Sequence, residues 1–104
     1  MTAIISLTEA KAWLRVDTDD EDALITSLIN AATGLVEARL RRPVIGDTET
    51  GAVCEDLEGV PAPIRMAALA VVALMYERRD ATADDVNARV LTSAWLDPYI
   101  DWES

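Results

Sequence analysis

The run Asp17-Thr18-Asp19-Asp20-Glu21-Asp22 is the densest group of chemically able side chains in this 104-residue sequence. Carboxylates at alternate positions are what a calcium loop uses. Laid on the EF-hand template, Asp17, Asp19 and Glu21 take the first, third and fifth ligand positions. The template then fails twice. Asp22 stands where the turn needs glycine, and Leu28 stands where a bidentate glutamate must close the shell. The run reads instead as the acidic first turn of a helix, where the helix dipole favours negative charge. A second group, Glu55, Asp56 and Glu58, could serve as paired carboxylates. They lie in a flexible acidic loop with nothing obvious to bury them, and acid–base work at neutral pH needs carboxyls tuned by burial. Cys54 is the only cysteine and histidine is absent. That removes an internal disulfide, a thiolate metal cluster, the usual zinc sites and a Cys–His nucleophile. The acidic neighbours of Cys54 also disfavour its thiolate. No G-x-x-x-x-G-K-[ST], G-x-G-x-x-G or G-x-S-x-G pattern occurs. The expectation is a protein that is not an enzyme, with no metal and no cofactor.

Charge narrows the partners. Nineteen acids stand against nine bases, for a net charge of −10. Direct nucleic-acid binding depends on Lys and Arg releasing counterions from phosphate, and this balance argues against it. It argues equally against an anionic membrane surface. It is compatible with solubility alone, or with working beside DNA that must pass without sticking. Hydrophobic residues make up 51%, too many for a disordered chain. The longest uncharged apolar run, Met66 to Tyr76, is far below the ~20 residues that span a bilayer. The start, Met1-Thr2-Ala3-Ile4-Ile5, lacks the basic and apolar regions of a signal peptide. The chain is therefore expected to be made in the cytoplasm.

The elements expected to position these residues are all helical. Periodicity and caps predict a single small all-α domain, 1–104, with four helices over about 6–15, 19–42, 63–79 and 85–96. Ser6 with Glu9, and Thr18 with Glu21, have the capping-box spacing. Leu24, Ile25, Leu28, Ile29, Ala32, Leu35, Val36 and Leu40 form the apolar stripe of the second helix, which Pro43 should stop. Gly34 within it either permits a close helix crossing or is tolerated slack. Pro63 suits the first turn of the third helix. That helix is apolar on every side from Met66 to Tyr76. It must either sit at the centre of the bundle or be covered partly by a neighbouring subunit. Pro98 should end the fourth helix.

Between helices two and three lies a long acidic loop, 43–62. It holds three of the four glycines and five acids, Asp47, Glu49, Glu55, Asp56 and Glu58, with no base. A short hairpin around Gly46 to Gly51 is one option there. A loop of this length in a small domain is usually functional or disordered. The tail, 97–104, is acidic and aromatic. Its Tyr99, Ile100 and Trp102 either fold back on the body or dock on a partner, since aromatic side chains are favoured at interface hot spots. Trp13, Leu28, Val72, Met75, Tyr76 and Trp95 are expected in the core or at a subunit interface.

Three segments carry a family resemblance. Ile5-Ser6-Leu7-Thr8-Glu9-Ala10-Lys11-Ala12-Trp13-Leu14-Arg15-Val16-Asp17 resembles the capped first helix of the phage head–tail connector (adaptor) family, with its E-A-K-x-x-L-R pattern and acidic turn. Residues 20–32 resemble its second helix. Val60-Pro61 through Tyr76-Glu77-Arg78-Arg79-Asp80 resembles its third, with the L-x-Y-E-x-R ending. The likeness covers roughly residues 4 to 80, and the order and spacing of the three segments make it more specific than any one alone.

The resemblance implies a structural virion protein at the head–tail junction. It implies a homo-oligomeric ring, commonly of about twelve subunits, which requires a head-to-tail interface that closes on itself. The ring would sit below the portal protein, extend the DNA channel without sequence-specific binding, and offer a surface to a downstream neck or tail-completion protein. The acidic residues 47–58 are then expected to face the channel or the portal. Two other readings compete: an acidic inhibitor or DNA-mimic module, and a helical scaffold subunit unconnected with phage. Light scattering separates them, because a change from monomer to ring belongs to the connector alone.

Overall fold

In the computed structural model the described residues are 3–47, 49, 51–78 and 94–100. They form three α-helices, α1 (Leu7–Leu14), α2 (Asp22–Leu40) and α3 (Ala62–Glu77), with 3-10 turns at Leu57–Gly59 and Ala94–Tyr99. The protein is thus mostly helical. The expected fourth helix, 85–96, falls almost wholly outside the described residues. Its last positions belong to the 3-10 segment, which runs through Pro98 rather than ending before it.

Local chemistry sets each boundary. Ser6 caps α1, its Oγ accepting the N–H of Glu9 at 3.0 Å. Arg15 ends α1 in the left-handed region, φ 60°. Val16 N–H reaches Lys11 O and Arg15 N–H reaches Ala12 O, the two bonds of a Schellman cap. The second capping box does not form. The position before α2 is Glu21, not Thr18, and its side chain caps nothing. The reason is competition: the Glu21 carboxylate accepts the Tyr76 hydroxyl of α3 instead. At its other end α2 stops at Leu40, before Pro43, because Arg41 turns left-handed with φ 60°.

The helices pack as a three-way bundle. Tyr76 near the end of α3 meets Glu21 at the head of α2, so these two run antiparallel. Ile4, just before α1, meets Thr33 toward the far end of α2, so α1 is also antiparallel to α2. The buried face of α2 is Ile25, Ile29, Ala32, Thr33, Val36 and Leu40, the i, i+4, i+7 spacing of one helix face. Gly34 is half-buried and lies on the side of α2 opposite that face. From α3 the core takes Ile64, Ala67, Ala68, Leu69, Val71 and Val72. Each fully buried Ile or Val contributes roughly 1.5–3 kcal/mol. Helix α3 is therefore mostly central. Its outer strip, Ala62, Met66, Ala70, Ala73 and Glu77, is exposed or half-buried.

The connection from α2 to α3 is folded, not slack. Cys54 N–H donates to Val44 O at 2.9 Å and Gly46 N–H to Cys54 O at 3.0 Å. This makes one parallel bridge between Ile45 and Cys54, where a hairpin would be antiparallel. Val44, Ala52 and Val60 plug into the body. A Cβ at Gly59 would stand 3.2 Å from that of Cys54, so any larger residue there would crowd Cys54 and push the two stretches of chain slightly apart.

Candidate functional site

Three groups of side chains hold the functional surfaces in place. The first is at the corner between α1 and α2. Lys11 Nζ lies 2.8 Å from Asp22 Oδ1 and 3.0 Å from Asp19 Oδ1. The acidic run is thus anchored by an ammonium, while Asp17, Asp19 and Asp20 remain exposed. Among the described residues no group of three or more His, Cys, Asp or Glu is placed to hold a metal ion. The Asp22 contact, then Asp19, raises the Lys11 pKa above its ordinary 10.5. A raised lysine pKa stabilises the fold fully below the unfolded value and loses that contribution as pH climbs through the folded value. Urea unfolding followed from about pH 9 to 12 should therefore fall more gently for Lys11→Met than for the parent protein.

The second group is the acidic connection. Asp47, Glu49, Glu55, Asp56 and Glu58 are all exposed. The parallel sense of the Ile45–Cys54 bridge makes residues 46–47 and 55–56 leave it in the same direction. Carboxylates from both arms therefore gather toward one end of the connection. Two of them also shape it. Asp47 Oδ1 accepts Glu49 N–H at 2.9 Å, and Asp56 Oδ1 accepts Gly59 N–H at 2.9 Å, capping the 3-10 turn. Glu37 reaches beyond the end of α2 to accept Val44 N–H at 2.8 Å. Cys54 is half-buried, its single S–H shared between the carbonyls of Val44 and Asp56, each 3.3 Å from the sulfur. Burial raises its pKa, so it stays a thiol at neutral pH.

The third group is built on two arginines. Arg42 donates from Nε to Gly51 O at 2.7 Å, from Nη2 to Ala52 O at 3.3 Å and from Nη1 to Tyr99 O at 3.5 Å. It clasps the acidic connection and the C-terminal 3-10 segment together. Arg65 on α3 stands 3.5 Å from Glu9 Oε2 of α1 and donates to Leu57 O at 3.4 Å. Neither role is visible in the sequence, because the carbonyls and the carboxylate these arginines meet lie 8 to 57 residues away along the chain.

The expected partner-docking and interface residues separate on the structure. Ile100 is 6% exposed and belongs to the core, so it is not a surface docking residue. Tyr99 packs half-buried against the same core. These two fold back on the body; Trp102 lies outside the described residues. Val72 is core, and Leu28, Met75 and Tyr76 pack partly buried against it. Of Trp95 only the backbone is described. Trp13 differs from all of them: 45% exposed, it is one of three large hydrophobic side chains left on the surface of the described residues, with Met66 at 38% and Leu57 at 37%.

No helix among the described residues is long and apolar enough to cross a membrane. No curated protein and no solved structure matches this chain. A family model, described as phage gp6-like head–tail connector protein, matches residues 4–99.

Proposed function

Because this chain belongs to the phage gp6-like head–tail connector family, a family of structural proteins, we propose that its copies close into a ring below the portal. The ring extends the DNA channel and presents a surface to the next neck or tail protein. The observation that carries this reading is the family match, which takes in all three α-helices and the acidic connection. Two features of the molecule support it. Trp13, Leu57 and Met66 stay exposed, apolar surface that a neighbouring copy can bury with gain. Five exposed acids without a base occupy one connection, and such a surface turned to a channel repels the DNA phosphates within a Debye length of ~8 Å.

Closure of the ring needs two different surfaces on each copy, one complementary to the other. The copy number is expected to be about twelve, the value the connector family commonly shows for such closed cyclic assemblies. Light scattering of the purified protein, alone and mixed with portal assemblies, tests the reading. A discrete species many times the 11.3 kDa subunit mass is expected under at least one condition. A subunit that stays monomeric in both overturns it.

A further inference from the structure

One partly buried cation of the helical body lacks an anion. Among the described residues three buried side-chain atoms make no hydrogen bond: Asp22 Oδ1, Arg39 Nε and Arg65 Nε. Two of them still face an opposite charge. Asp22 Oδ1 stands 2.8 Å from Lys11 Nζ, and Arg65 Nε stands 3.5 Å from Glu9 Oε2. Arg39 Nε faces none. Its Nη1 and Nη2 have no partner either, but they are not shut off from solvent. Arg39 is half-buried in the last turn of α2. The helix dipole favours a base there, yet a fully hydrated guanidinium would serve the dipole as well. A charge that gives up part of its water with nothing in return is costly. The fork of Nη1 and Nη2 is the shape that takes a carboxylate in two parallel bonds.

We propose that Arg39 takes a carboxylate from the acidic connection of the next copy, that of Glu49, Glu55 or Glu58; this rests on the ring reading above. Among the described residues these three exposed carboxylates have no partner, whereas Asp47 and Asp56 shape the connection itself. Position selects them. Arg42, one turn after Arg39, holds the carbonyls of Gly51 and Ala52, so the connection is folded against the close of α2. It brings no carboxylate of its own within ion-pair distance of Arg39, and Glu37 nearby is turned onto Val44 N–H. The place at Arg39 therefore stays open in the single subunit. Groups that are neighbours in one subunit keep nearly the same height under rotation about a ring axis. The connection of one copy thus passes level with Arg39 of the next.

Charge selects the same pairing. Copies at −10 each repel, and an acid that meets a base across the contact removes part of that repulsion. Arg15 and Arg78 are exposed, and pairs between hydrated side chains gain little. Arg39 has already lost the water at Nε, so a carboxylate at its fork gains more. DNA phosphate is the poorer occupant, because one arginine on so acidic a body releases few counterions. A single carboxylate turned sideways to the neighbour leaves the other acids of the connection free to face the channel. Donor and acceptor sit on different parts of each copy, as a heterologous, closing interface demands.

Light scattering and thermal melting of the whole protein test the pair. Arg39→Met should melt at or above the parent temperature as a free subunit, since it breaks no bond there and removes an unmet donor. It should raise the concentration needed for assembly about tenfold or more. Arg39→Glu should abolish assembly while circular dichroism keeps its helical signal. One of Glu49→Arg, Glu55→Arg and Glu58→Arg, added to the Arg39→Glu chain, should restore it. Amides at these positions are no substitute, because an amide oxygen still accepts from a guanidinium. A lower melt for Arg39→Met assigns Arg39 to its own fold and overturns the pair. Assembly of Arg39→Met at the parent concentration, or failure of all three reversals, overturns it too and leaves the ring reading standing. Normal Arg39→Met rings that no longer join portal give the carboxylate to portal instead of a sister copy. If the unmodified protein forms no ring alone or on portal, the ring reading falls and takes the pair with it.

Discussion

Thr33→Val is expected to lower the unfolding free energy by about 1–3 kcal/mol, although it barely changes the shape of the side chain. Thr33 is the one fully buried polar residue of the described core. Its Oγ1 donates to Ile29 O at 2.9 Å and accepts Ile4 N–H at 3.3 Å. Valine leaves that amide buried without an acceptor, and an unmet buried donor carries its full desolvation cost. Ile4 and Ile5, at 0% and 1% exposed, ride on the same anchor. The loss should therefore concentrate where the chain enters α1. Urea unfolding measures the size of the effect, and amide exchange at Ile4 and Ile5 locates it. Exchange there at the parental rate, with parental stability, would mean that the hydroxyl holds nothing.

The second large effect is expected in the virus particle. Replacing Asp47, Glu49, Glu55, Asp56 and Glu58 by their amides removes five charges per copy while keeping one acceptor oxygen on each side chain. Asp47 can still accept Glu49 N–H and Asp56 can still accept Gly59 N–H, so the variant should melt close to the parent. Its net charge moves from −10 to −5, five acids having been removed. If these acids line the channel, DNA release should slow severalfold as phosphate meets a less repulsive wall. The measurement is ejection kinetics from particles carrying the variant, set beside its thermal melt. Normal ejection with an unchanged melt removes the acids from the channel wall.

Periodic features of this fold were readable in advance, and contingent ones were not. The stripe from Ile25 to Leu40 and the apolar run of α3 carry helical spacing, which burial enforces repeatedly along each helix. Ser6 was legible as a cap because its chemistry is local. Thr18 with Glu21 had the same spacing, yet Glu21 is drawn to Tyr76, 55 residues away, and no local rule contains that partner. Thr33 sits on the buried face beside Ala32, and nothing local reveals that its hydroxyl serves the amide of Ile4, 29 residues away. The connection hides its packing for another reason. Val44, Ala52 and Val60 are buried without any period, each placed by turns and bridges formed only once the helices meet. Of the proposed functional residues, the five acids were legible as exposed because an unpaired carboxylate stays in water whatever stands beside it in the chain.

The Arg42 clasp has a mechanical consequence. Its three carbonyl contacts are unequal: 2.7 Å to Gly51, 3.3 Å to Ala52 and 3.5 Å to Tyr99. Under tension between the carboxyl-terminal end and the rest of the subunit, the longest link yields first. That link can therefore open while Leu96 and Ile100 still hold the end segment in the core and the acidic arms keep their grip on the close of α2, which makes the guanidinium a graded fuse instead of a rigid rivet.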